Sequence, residues 1–126
     1  MGLCERDVSM KTYEPDRWAV VEATIDDKIE RRIVAGWWGG YLDPDHWRIS
    51  SMVSSVTDNT DYYAFDNESK SRYICYKKCF GFTGLSAAAF QSFQEKQSVE
   101  WTIVKDYIPN NVTDALYDAQ RDFMGE

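Results

Sequence analysis

Histidine, cysteine and basic charge are all scarce in this chain, and each shortage removes a class of function. One histidine, His46, in 126 residues cannot build the multi-histidine clusters that hold catalytic metals. The three cysteines, Cys4, Cys75 and Cys79, form an odd set, whereas secreted scaffolds are stapled by even ones. Cys75 and Cys79 stand in a segment that reads as a strand, which separates their Cα atoms by roughly 13 Å, outside disulfide reach. Unless the segment turns there, they read as small buried hydrophobes. Lys and Arg number 14 against 21 Asp and Glu, a net charge of −7. That balance argues against the clustered basic surface that phosphate-backbone binding needs, so no direct nucleic-acid binding is expected. No apolar run approaches the roughly 20 residues that span a bilayer. Residues 1–6 lack the charged and apolar regions of a signal peptide, and Arg6 stands where N-myristoylation wants Ser or Thr. A cytoplasmic protein without a membrane partner is the expectation. G-x-S-x-G, H-E-x-x-H and P-loop motifs are also missing, so the sequence predicts no catalytic residue, no cofactor and no metal.

What is present is apolar and aromatic. Hydrophobic residues make up 44% and aromatics 15%, enough to fold residues 1–126 as a single domain. Residues 1–16 read as a loose N-terminal arm. Residues 18–25 and 29–38 read as two strands joined by the Asp26-Asp27 turn, a hairpin signal. Residues 47–56 alternate with period 2, residues 62–65 form a short strand and residues 71–82 a long one. Thr83 can cap a helix with Leu85, Ala89, Phe90 and Phe93 at helical spacing. Residues 99–104 alternate again, and Val112, Leu116, Ala119 and Phe123 mark a C-terminal helix. The sum is an α+β fold: a twisted antiparallel meander of about five to six strands with one or two helices packed on one face.

The aromatic stretch Trp37-Trp38-Gly39-Gly40-Tyr41-Leu42-Asp43-Pro44-Asp45-His46-Trp47 holds three of the five tryptophans. Adjacent strand residues point to opposite faces, so Trp37 and Trp38 cannot both enter one core face. An exposed tryptophan is a typical interface anchor, which makes Trp37, Trp38 and Tyr41 candidate partner contacts. His46 beside Asp43 and Asp45 invites an acid–base reading, although such a turn is also what a solvated loop looks like. The nucleophiles on offer, Cys75, Cys79 and Ser50-Ser51, have no motif to support them. Asp114, Asp118 and Asp122 recur every fourth residue and stack on one helical face. Asp58, Asp61, Asp66 and Glu68 frame Tyr62-Tyr63. Of these, Asp58, Asp61, Tyr62, Asp114, Asp118 and Asp122 are the candidate steering or mimicry groups for a basic partner. Asn67-Glu68-Ser69 and Asn111-Val112-Thr113 match the glycosylation sequon by chance.

The stretch R-I-V-A-G-W-W-G-G-Y-L-D-P-D-H-W from Arg32 to Trp47, the R-I-S-S that follows it and S-R-Y-I-C-Y-K-K from Ser71 resemble small accessory proteins of phages and prophages. The resemblance covers the middle half of the chain and implies no catalytic residues. It implies a non-enzymatic inhibitor of the anti-CRISPR kind. Such a protein would act as a monomer or homodimer and block the basic surface of a host protein or ribonucleoprotein complex. Two alternatives stand beside it: an immunity protein neutralising a nuclease toxin, and a small enzyme using His46 with Asp43 or Asp45.

Overall fold

The computed structural model describes residues 11–39 and 44–108. The expected C-terminal helix, with Asp114, Asp118 and Asp122, lies outside the described residues, as do Tyr41 and Asp43. The described strands are β1 (Lys11–Tyr13), β2 (Arg17–Ile25), β3 (Lys28–Trp37), β4 (His46–Ile49), β5 (Val53–Asp58), β6 (Tyr62–Asn67), β7 (Ser71–Tyr76) and β8 (Thr102–Ile103), with one α-helix, α1 (Gly84–Glu95). An α+β protein built largely on antiparallel pairing is therefore correct. The single sheet is not: the strands divide into two four-stranded sheets, β1-β7-β6-β5 and β4-β3-β2-β8.

The β2–β3 hairpin is the spine. Its nine paired positions run from Arg17↔Gly36 to Ile25↔Lys28. The Asp26-Asp27 turn holds both residues at positive φ, 52° and 67°, as a two-residue turn matched to strand twist demands. Trp18, Val20, Ile33 and Ala35 face one way and meet Phe65, Tyr73 and Cys75 of the other sheet. Val21, Ala23 and Val34 face the other way and meet Phe90 of α1 and Trp101. The described residues thus form three layers, sheet on sheet on helix, and β2 is buried on both faces. That double burial explains the unbroken run Trp18-Ala19-Val20-Val21, all at most 1% exposed.

The segment expected as one strand over residues 47–56 is cut in two. Ser50 is the cause: its N–H donates to the Ile33 carbonyl and its Oγ accepts the Ile33 N–H at 2.8 Å. A buried side chain thereby closes the β3 ladder, and the chain leaves for the other sheet as β5. The expected strand over 99–104 shrinks to Thr102–Ile103, because Gln94 takes its neighbours' backbone groups, donating to Val99 O and accepting from Trp101 N. Nor are residues 11–13 part of a loose arm; they pair in parallel with β7, Lys11↔Ser71 to Tyr13↔Tyr73. β7 itself ends at Tyr76, and Lys77–Cys79 form a 3-10 turn, so the two cysteines do not share a strand; both are free thiols.

Thr83 caps α1 as expected, its hydroxyl accepting from Ser86 N while Ser86 Oγ accepts from Thr83 N, a reciprocal capping box. This helix end presses on β3 at Gly36. A Cβ there would stand 2.6 Å from Thr83 Oγ1 and 2.8 Å from Ser86, so only glycine lets the layers approach so closely. No helix among the described residues is long and apolar enough to cross a membrane.

Candidate functional site

The two adjacent tryptophans do point to opposite sides. Trp37 is half-buried on the inter-sheet side. Its Nε1 donates to Glu14 O at 3.0 Å, its edge meets Tyr13 at 6.2 Å, and His46 stacks on it at 4.7 Å with the planes 9° apart. Trp38 remains 50% exposed. Its N–H donates to Asp16 Oδ2, and the Arg17 guanidinium lies 4.7 Å from its ring centroid. Arg17 alternates with Trp18, which places Arg17 and the Trp38 ring on the α1 side of the spine.

Trp47, which sequence reasoning did not single out, belongs to the same side. It pairs with Gly36 and is 46% exposed. With Leu85, 38% exposed, it walls an open groove of about 520 Å³ between β4 and α1, whose other lining includes Ile49, Ala89 and Phe93. The helical stripe therefore divides: Phe90 turns into the core, whereas Leu85 and Phe93 line the groove. Of five large hydrophobics left exposed among the described residues, Trp38, Trp47 and Leu85 lie on this one side. The available signal was the unfilled part of that stripe, since one helix cannot bury Leu85 and Phe90 against the same strand.

Asp58 and Asp61 sit at the β5–β6 turn, across the sandwich. Asp58 is paired with Lys77 at 2.7 Å, and Asp61 accepts the Lys77 N–H with its backbone carbonyl. Hydrogen bonding to Asp58 raises the Lys77 ammonium above its ordinary value. Tyr62 meets Tyr76 edge-on at 5.7 Å, and Tyr76 OH reaches Glu14 Oε1 at 3.4 Å. Glu14 is thus touched by Trp37 through its carbonyl and by Tyr76 through its carboxylate. The Glu14 carboxylate in turn pushes the Tyr76 phenol up.

The acid–base constellation does not assemble among the described residues. One face of His46 is occupied by Trp37, and Asp45 Oδ1 accepts the Gly39 N–H at 2.7 Å. Ser50 Oγ is committed between Ile33 N and Ser51 O. Cys75 is buried, and desolvation lifts its thiol well above the ordinary value, which disfavours the nucleophilic thiolate. No group of three or more His, Cys, Asp or Glu able to hold a metal occurs among the described residues. Asn67 of the first sequon is 5% exposed, closed to a glycan. No protein-family model, no curated protein and no solved structure matches this chain.

Proposed function

We propose that this protein is a non-enzymatic binding protein whose partner seats on the Trp38–Trp47–Leu85 side of the hairpin sheet. One observation carries the reading: the fold uses Trp37 internally and leaves Trp38 and Trp47 in solvent, although burying an aromatic side chain is among the largest stabilisations available. Exposed aromatics gathered on one side mark interfaces. The excess of acids over bases supports a partner that also presents a basic surface. Such a partner is what a phage-type inhibitor of a host defence or nucleic-acid complex, acting in the cytoplasm, would meet.

The test is capture of partners from nuclease-treated host lysate with the intact chain and with Trp38→Ala and Trp47→Ala. The expected result is a captured protein that both substitutions lose while melting temperature stays put. Reversal of Asp58 and Asp61 to Lys should weaken capture and flatten its salt dependence. Capture that ignores both tryptophans would sink the proposal.

A further inference from the structure

We infer that the β4–α1 groove receives an acidic amphipathic helix of the partner, an inference that rests on the binding reading and names the chemistry of the docked element. The groove's walls, Trp47 from β4 with Leu85 and Phe93 from α1, are apolar. Among the described residues its cations are Arg32 and Lys96, and no carboxylate lines it, in a chain where acids outnumber bases 21 to 14. The groove is therefore a basic spot on an acidic protein.

Of the two, Lys96 is the cation left open, whereas Arg32 is partly paired. Arg32 donates to the Ser50 carbonyl at 2.9 Å, forms a long ion pair with Glu30 at 4.0 Å and lies 5.5 Å from the centre of the Trp101 ring. Lys96 is exposed just past the end of α1 and takes part in no ion pair among the described residues. A basic segment entering here meets two like charges, whereas an acidic one gains steering and charge-assisted hydrogen bonds.

Shape selects a helix over a compact ligand. Small-molecule sites enclose most of their ligand, but this groove is open, with Trp47 46% and Leu85 38% exposed along its walls. α1 offers a 12-residue helix as neighbour, and small Ala88 and Ala89 let a second helix lie at an ordinary interaxial distance of about 8–10 Å. Apolar anchors at i, i+3, i+4 and i+7 then fill the space between Trp47 and Phe93.

The test is an NMR titration of the isotopically labelled full chain with two synthetic peptides of about 18 residues. Both carry Leu at the anchor positions; one carries Glu on its remaining face and the other Lys. The Glu peptide should shift the Trp47 indole and the amides of Leu85–Lys96, binding about tenfold more tightly than the Lys peptide. Lys96→Glu, a surface change, should abolish that preference, while Trp47→Ala weakens both peptides. Equal binding of the two peptides overturns the acidic occupant and leaves the binding surface standing. Shifts outside the groove, or none, overturn the docking site. Failure of the underlying reading shows separately, as partner capture that survives Trp38→Ala and Trp47→Ala.

Discussion

Trp18 and Trp38 stand at opposite ends of what a tryptophan can do in this fold. Trp18 is fully buried between the sheets, and its Nε1 donates to Tyr76 O at 2.7 Å. Phe80, Phe65, Tyr63 and Tyr107 surround it with ring centroids 5.0 to 6.2 Å away. Trp38 has a single cation on its face and is half in water. Both occur beside or within the same hairpin, so strand propensity does not distinguish them. What distinguishes them is the layer that covers each position: a second sheet over Trp18, and over Trp38 the Arg17 guanidinium with half of the residue left in water. At the open end of the spine, aromatic side chains thus serve cohesion on the inter-sheet face, while Trp38 stays half in water on the α1 face.

The sharpest way to break this contrast is to truncate both residues. Trp18→Ala should cost about 3–5 kcal/mol, a large part of the roughly 5–15 kcal/mol that holds a domain together. Trp38→Ala should move stability by about 0.5 kcal/mol or less, as exposed substitutions do. Urea denaturation followed by tryptophan fluorescence measures both. Comparable losses at the two positions would mean that the surface tryptophan is structural after all.

The next largest effect tests the wall between the two regions. Gly36→Ala puts a methyl group against Thr83 and Ser86 at the capped end of α1. Overpacking of this kind costs about 1–3 kcal/mol, and the displaced helix should also open the Trp47–Leu85 groove. Thermal melting reads the first effect, and Trp47 solvent accessibility by acrylamide quenching reads the second. A neutral substitution would show that α1 slides freely on β3.

Much of the core was legible in the chain because local chemistry announces it. The Asp26-Asp27 turn, the Thr83 cap and the buried Phe90 are each written in adjacent residues. The division into two sheets was not, because residues 47–56 keep one period-2 pattern straight through Ser50. Periodicity reports which side chains alternate, but not which strand they pair with, and the decisive bond, from the Ile33 N–H to Ser50 Oγ, spans 17 residues. The surface was half legible. Alternation separated Trp37 from Trp38, but Trp47 became a candidate only when β4 was found beside α1.

Alkaline pH probes the border of the core without mutating it. Burial pushes the Tyr73 phenol from 10.0 up to about 12, with nearby Arg48 pulling the other way. The neutral phenol is the form that the fold favours, so its contribution is complete below pH 10 and falls as pH rises towards about 12. Melting temperature should drop across that window, and Tyr73→Phe should flatten the drop. Tyr76 and Tyr107 are also pushed up, so titration of tyrosinate absorbance should show several late phenols in the wild type and one fewer in the variant. The rim tryptophans carry no such group, so a pH step confined to the exposed side would contradict the assignment.

The smallest expected effect lies at the ion pair of Lys77 with Asp58. Both side chains are partly in water, so their 2.7 Å contact should contribute little to stability, and Asp58→Asn should leave the urea midpoint nearly where it was. Its consequence should fall on association instead. Removing one carboxylate from the Asp58–Asp61 corner lowers the field that a basic partner meets on approach, which slows the on-rate at low salt and leaves it unchanged at high salt. Stopped-flow association across a salt series separates the two. A lowered urea midpoint with an unaltered on-rate would move this corner from the recognition side of the comparison to the cohesive side, leaving the exposed tryptophans as the only described rim element reserved for a partner.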